Sequence, residues 1–319
     1  MWLYALLSTA PAAPVGYWHP QDLAARSERF AEANDAAAST YEEVARRSDT
    51  FARALRDYRV ALDLLGDRAD PLERERLEAL EKEFNRQQAV IRAFADTFVE
   101  DFDTEFSAAA ERARAALGGT IEECRGTVED GPRVPGIRPR TKPNPACKGD
   151  DLNAELARRV DTDAELKAAL DEMLALEWPQ LKLDVRFVSP VGGGERHVSV
   201  LGLFQEAAPD ALRAIEQADD RARLPFEAAI EEGATPDQLA AKVAEARKIT
   251  EQTAAKRAAL AAPVLDAADR HFAKAEKKGE VPTGWCAQPQ VLGGCTTHDE
   301  TDPLVPRLLA DKKVKKALP

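Results

Sequence analysis

Residues 65–71 read Leu-Gly-Asp-Arg-Ala-Asp-Pro, and they separate two long stretches of helical periodicity. Gly66 is typical of the position just beyond a helix, because glycine adopts a positive φ without strain. Asp70 is a good cap for the next helix, and Pro71 suits its first turn, where an amide hydrogen is not needed. A short turn between two long helices predicts that the helices run antiparallel.

Apolar residues recur in alternating three- and four-residue steps on both sides of this turn. This spacing is typical of a coiled-coil seam, with a four-residue stutter between Phe98 and Phe106. We therefore expect residues 13–118 to form one long antiparallel helical hairpin, starting its first helix at Pro20. The main seam residues are Leu23, Phe30, Ala37, Val44, Phe51, Leu55, Tyr58, Leu62 and Leu65, followed by Leu77, Leu80, Phe84, Ile91, Phe94 and Phe98.

Residues 150–319 return to helical periodicity and contain one interruption. Alternating polar and apolar residues from Leu181 to Phe187, the glycines 192–194 and the apolar residues up to Phe204 predict a small β-hairpin over 180–204. Helix signals then predict a second helical hairpin over 209–278. The two helical hairpins are alike in plan, although no repeat is apparent residue by residue.

Four cysteines lie in segments rich in glycine and proline, namely Cys124, Cys147, Cys286 and Cys295. Four cysteines allow three pairings. The local pairing, 124 with 147 and 286 with 295, is the simplest, because each disulfide then closes its own loop and contributes ~2–4 kcal/mol. No pair has the C-x₂-C spacing of a zinc site. The predicted fold is mainly α, with elongated antiparallel helical hairpins, one small β-hairpin and two disulfide-closed loops.

Residues 1–12 have the features of a signal peptide, although they lack a basic residue. An apolar stretch ends in Ala10-Pro11-Ala12, which fits the A-x-A cleavage pattern. We therefore expect a periplasmic or secreted protein, which agrees with the use of disulfides. The alternative is an apolar segment packed on the body of the protein. No later stretch has the ~18 apolar residues of a transmembrane helix, so no stable membrane anchor is expected.

Residues 119–149 contain five prolines, which exclude regular structure, and a cluster of basic residues. One interpretation is a docking site for an anionic partner. The other is a disulfide-closed connector whose charge offsets the acidic helices. The whole chain has a net charge of −12, which argues against a nucleic-acid partner. The candidate docking residues are Arg133, Arg138, Arg140, Lys142 and Lys148.

The sequence contains no H-E-x-x-H, P-loop, G-x-S-x-G or dinucleotide-binding motif. We therefore predict no catalytic residue, metal site or cofactor. Three functions remain open: an exported scaffold or binding protein of the cell envelope with a protein partner, a membrane-active protein that resembles α-helical pore-forming proteins and uses the 180–204 hairpin, and a periplasmic holdase chaperone. Glu195 and Arg196 at the hairpin tip disfavour the second, because unpaired polar groups are costly in lipid.

Overall fold

The computed structural model describes residues 15–124, 149–231 and 235–318. Within these ranges the chain is mainly helical, with ten α-helices and two small parallel sheets, and the predicted mainly-α class is confirmed. The chain divides into two compact units. The first unit comprises Met1–Ser48 and Arg86–Leu181, and the second comprises Asp49–Asn85 and Lys182–Pro319. The predicted signal peptide, the five basic docking residues and Cys147 lie outside the described residues.

The first unit is built on a three-stranded parallel sheet. β1 is central, and β2 and β3 pair with it on either side. The unit also holds the N-terminal part of α2, up to Ser48, and the C-terminal part of α3, from Arg86. The elements are β1 (Val15–Trp18), α1 (Pro20–Arg26), α2 (Glu28–Leu65), α3 (Pro71–Leu117), β2 (Thr120–Glu123), β3 (Asp150–Asp151), α4 (Asn153–Asp161) and α5 (Ala164–Leu174).

The core of the first unit is a cluster of phenylalanine rings packed against small residues. The ring of Phe30 lies 5.0 Å from that of Phe102 and 5.3 Å from that of Phe106. Ala33 and Ala37 are buried in the same cluster. Rings facing alanines fill the space between two helices without voids. The phenylalanines of the predicted stutter therefore belong to the core.

The first helical arm is broken near its start, whereas the sequence predicted one helix from Pro20. Ser27 has an extended backbone, with φ −77° and ψ 125°, and separates α1 from α2. Its hydroxyl accepts a hydrogen bond from the amide of Phe30 at 3.1 Å and donates one to Asp161 at 2.6 Å. The serine therefore acts as the cap of α2, and that local competition with the helix ends α1.

The second unit contains a second three-stranded parallel sheet, with β4 at its centre between β5 and β6. α7 and α8 contact each other. The turn that joins α2 to α3 also belongs to this unit; Gly66 there has φ +57°, as expected of the residue that ends α2. The elements are β4 (Arg196–Ser199), α6 (Val200–Ala207), α7 (Pro209–Glu231), α8 (Pro236–Glu276), β5 (Thr283–Cys286), β6 (His298–Asp299), α9 (Thr301–Ala310) and α10 (Lys312–Ala317).

The predicted β-hairpin over 180–204 is wrong. β4 pairs in parallel with β5 and β6, and residues 200–207 are helical. The side chain of Ser199 accepts a hydrogen bond from the amide of Gly202 and so caps α6, where a returning strand was expected. The alternation before it does not indicate a half-buried strand either, because Leu181 is buried but Phe187 is 64% exposed.

The disulfide between Cys286 and Cys295 is present, as predicted. Both residues are buried, and Val188 packs against them. The bridge joins the end of β5 to the loop that precedes β6, and it therefore fixes the path of the chain between two strands of one sheet. The other predicted disulfide, between Cys124 and Cys147, involves a residue that is outside the described ranges.

The two sheets are built on the same plan. In each, the central strand comes first and leads into a short helix, the two edge strands follow after a pair of long helices, and two short helices complete the plan. We call β1, α1, the C-terminal end of α3, β2, β3, α4 and α5 the first frame. We call β4, α6, the C-terminal end of α8, β5, β6, α9 and α10 the second frame. Each frame lies within one unit.

The two frames share matching hydrogen bonds in addition to their topology. In the first, the amide of His19 donates to Asn153 Oδ1 at 2.8 Å; in the second, the amide of Ser199 donates to Thr301 Oγ1 at 2.8 Å. Each of these acceptor residues in turn donates its own amide to an aspartate carboxylate at 3.0 Å. The equivalent residues are Tyr17 and His197, His19 and Ser199, Asp151 and Asp299, Asn153 and Thr301, and Asp163 and Asp311.

Candidate functional site

A cleft of about 300 Å³ opens in the first unit. One wall is a face of α2 that carries the small side chains of Ala36, Ala37 and Thr40. Phe98 of α3 contributes to the lining, and the segment 174–181, which begins at the last residue of α5, forms the opposite wall. Residues spaced by three and four share one face of a helix, so the short side chains of this face leave room beside the aromatic ring.

Trp178 is the central residue of the opposite wall. Its ring lies 5.0 Å from that of Phe94 and 5.6 Å from that of Phe98. The contact with Phe94 is edge-to-face, a favoured arrangement of aromatic pairs. The segment 174–181 is thus held against α3 by one aromatic side chain, while Leu174 and Leu176 of the same wall stay exposed.

The rim of the cleft on α2 is charged. Glu43 accepts hydrogen bonds from Arg46 at 2.6 Å and from Arg47 at 2.8 Å. Hydrogen bonds from Arg46 and Arg47 lower the pKa of Glu43 from its ordinary value. This carboxylate is therefore ionised and occupied by the two guanidinium groups, so it is poorly suited to act as a general base. The cleft can bind an apolar group against its alanines and aromatic rings and a polar one at its rim.

A buried histidine of the second unit is the other candidate for chemistry. His197 Nδ1 lies 2.9 Å from Thr297 Oγ1, and its Nε2 lies 3.7 Å from Asp299 Oδ1. Asp299 also accepts hydrogen bonds from the amide and the hydroxyl of Thr301. The neighbouring hydroxyl, of Ser199, already accepts the helix-capping bond from Gly202. These contacts join β4, β6 and α9, which is a structural role for the histidine.

The environment of His197 predicts a pH dependence of stability. Burial lowers the pKa of His197, although the carboxylate of Asp299 opposes this shift. The unfolded chain, with a histidine pKa of about 6.5, then takes up the proton more readily than the folded chain, so stability falls as the pH drops through that value. We expect urea unfolding to give a lower free energy at pH 5.5 than at 7.5, and His197→Gln to reduce this difference. An undiminished difference in the variant would contradict the assignment.

The structure brings together few of the residues that the sequence singled out. Cys286 and Cys295 are bonded, and the candidate docking residues fall outside the described ranges. In the described part of the chain no group of three or more His, Cys, Asp or Glu could hold a metal ion. No helix in those ranges has the length and apolarity to cross a membrane.

Sequence reasoning missed the cleft altogether. Its signal was weak: Trp178 and Pro179 follow a short helix, and nothing in their spacing indicates that the indole reaches α3, about 80 residues earlier in the chain. Comparison of the chain with protein-family models, with curated proteins and with solved structures finds no match. The interpretation of the cleft therefore depends on its own geometry.

Proposed function

We propose that this protein is an exported, non-enzymatic helical scaffold or binding protein of the cell envelope, and that the cleft of the first unit receives an apolar side chain of a protein partner. The observation that carries this proposal is the composition of the cleft. Most of its lining residues are apolar, and two of them, Leu174 and Leu176, are exposed. Exposed apolar residues next to a concave apolar surface are typical of binding sites.

An antiparallel hairpin of α2 and α3 would supply the scaffold. In the first unit, Phe30 contacts Phe102. In the second, Tyr58 donates a hydrogen bond to Glu73. Contacts between early residues of one helix and late residues of the other, and between residues on either side of the turn, support an antiparallel arrangement of the kind that the seam predicts.

Export is supported by the disulfide. Disulfides form and persist in oxidising compartments and are rare in the cytosol. A buried bridge between Cys286 and Cys295 therefore agrees with a periplasmic or secreted location and with removal of residues 1–12 as a signal peptide. Non-reducing mass spectrometry of the native protein is expected to detect this bridge and a second one between Cys124 and Cys147. Free thiols at these positions would argue against export.

Of the two alternative functions, the membrane-active protein loses its basis. It depended on a β-hairpin over 180–204 entering the bilayer, and this segment instead supplies β4 and α6. β4 is the central strand of its sheet, so its backbone is paired on both sides. The holdase chaperone has no specific observation in its favour.

Site-specific crosslinking from the cleft tests the binding function. A photoreactive amino acid at Leu176, which is 48% exposed, is expected to capture a discrete envelope protein. The matched control carries the same group at Val243, a residue of the second unit that is 51% exposed. The captured band should be present for the first variant and absent for the second. No discrete product at 176, or the same product at both positions, would refute a partner site in the cleft.

A further inference from the structure

Each frame ends in a short helix whose capping aspartate forms an ion pair with the preceding long helix. In the first frame, Arg112 of α3 binds Asp163 through two contacts, Nε to Oδ2 at 2.9 Å and Nη2 to Oδ1 at 2.7 Å. In the second frame, Nδ1 of His271 on α8 lies 3.3 Å from Oδ2 of Asp311. The two basic residues occupy the same place: each stands five residues before the last residue of its helix.

The two aspartates have the same structural task. Asp163 accepts a hydrogen bond from the amide of Leu166 at 2.8 Å and caps α5. Asp311 accepts one from the amide of Lys313 at 2.7 Å and caps α10. Leu166 in the first helix and Val314 in the second are fully buried. In both frames the ion pair therefore helps to hold a capped helix, with this buried residue in its first turn, against the rest of the frame.

The two basic partners differ in one property. The guanidinium of arginine keeps its charge throughout the physiological range, whereas histidine is the side chain whose charge ordinarily changes between pH 5 and 8. We propose that the second frame contains a pH-dependent latch, in which protonation of His271 strengthens its contact with Asp311 and holds α10 on α8. In the first frame, Arg112 and Asp163 form the equivalent contact, and it keeps its charge over this pH range. This inference does not depend on the proposed binding function.

The charges around His271 favour this response. Asp311 is the one carboxylate of the described residues within ion-pair distance of it. Hydrogen bonds from the amides of Lys313 and Val314, together with His271, lower the pKa of Asp311, so the carboxylate stays ionised across the relevant range. Arg68, on the turn that packs against α8, is bound to Asp266 and Asp269, so its charge is already paired.

Opposing charges are also present. The lysines of α10, together with Arg270 and Lys274 beside His271 on α8, would repel a protonated imidazole, but all of these cations are exposed, where solvent screens their charge. The carboxylate of Asp311, in contrast, is partly buried and lies 3.3 Å from His271 Nδ1. Because a partly buried pair is screened less than exposed charges are, the attraction outweighs the repulsion. The four lysines are Lys312, Lys313, Lys315 and Lys316.

Hydrogen exchange in the full-length protein tests the latch. After correction for the intrinsic rate, protection of the α10 amides is expected to rise about two- to fivefold between pH 8 and pH 5.5, as a partly exposed ion pair allows. Protection of α5 amides, in the same molecule, should stay constant. His271→Arg should make α10 protection high at both pH values. Asp311→Asn preserves a capping side chain and should remove the pH dependence.

The outcomes separate this latch from other effects of acid. A change caused by His197 would lower protection throughout the second sheet, whereas the latch raises it in α10. Unchanged or lower α10 protection in acid would overturn the proposal. So would a pH dependence that survives in Asp311→Asn or that remains in His271→Arg.

Discussion

Replacement of Arg257 by methionine is expected to lower the free energy of unfolding by about 3–5 kcal/mol, because it leaves a charged group buried without its partner. Asp63 of α2 and Arg257 of α8, both in the second unit, are 6% and 7% exposed in their side chains, and they form a hydrogen-bonded ion pair at 3.0 Å. Arg74 is the next basic group, at 3.7 Å from Asp63, and it is far more exposed. It cannot replace the buried contact.

The same pair is expected to contribute little net stability. Burial raises the pKa of Asp63 despite the opposing hydrogen bond and charge of Arg257, so desolvation outweighs the attraction. Replacing both residues, as Asp63→Leu with Arg257→Met, should therefore recover most of the loss. A double variant as unstable as Arg257→Met would contradict this account.

Two controls apply to Arg257→Met: a measurement at acidic pH, and the same substitution at an exposed arginine. The deficit of Arg257→Met should shrink toward pH 4, because the folded state then binds a proton at Asp63 more readily than the unfolded chain does. Arg247 lies on the same helix, is 82% exposed in its side chain and pairs with Glu251, so Arg247→Met is the exposed control. It is expected to change stability by less than about 0.5 kcal/mol. Urea unfolding of the three variants measures these differences.

This pair illustrates what the sequence could not predict. Helix α3 was anticipated from its first residue, Pro71, because capping and proline signals are local. Arg257 is 194 residues from Asp63, and nothing in its helical periodicity marks it as buried beside an acid. The prediction of the strands failed for the same reason. β4 is four residues long and pairs in parallel with segments that begin at Thr283 and His298, and such pairing leaves no local turn signal.

The repeated frame was also invisible in the sequence, and the reason is chemical. At equivalent positions the frames use different residues for one task. His19 and Ser199 each cap the first short helix, and Asn153 and Thr301 each accept a backbone hydrogen bond. An oxygen or nitrogen acceptor in the right place satisfies the geometry, so the residue type is free to vary. The equivalent positions are therefore recognised from their hydrogen bonds and strand register, although their residue types differ.

Replacement of Phe102 by alanine is the second change expected to have a large effect, with a loss of about 3–5 kcal/mol in the first unit. Its ring is buried and lies 5.0 Å from the ring of Phe30 and 5.9 Å from that of Phe106. The substitution removes both contacts and leaves a cavity between helices. Because the neighbours are large rings held by several contacts each, the site cannot collapse to fill that cavity without further cost.

Val90→Ala is the matched control, on the same helix and in the same unit, with a side chain that is 47% exposed. It should change stability by less than about 1 kcal/mol, because removing the two methyl groups of a half-exposed side chain forfeits little burial. Guanidinium unfolding followed by circular dichroism measures both variants. If Phe102→Ala were no more costly than Val90→Ala, the rings of the predicted stutter would not form the core of the first unit. The wall of the cleft, which depends on Phe98 one turn earlier, would then lose its support.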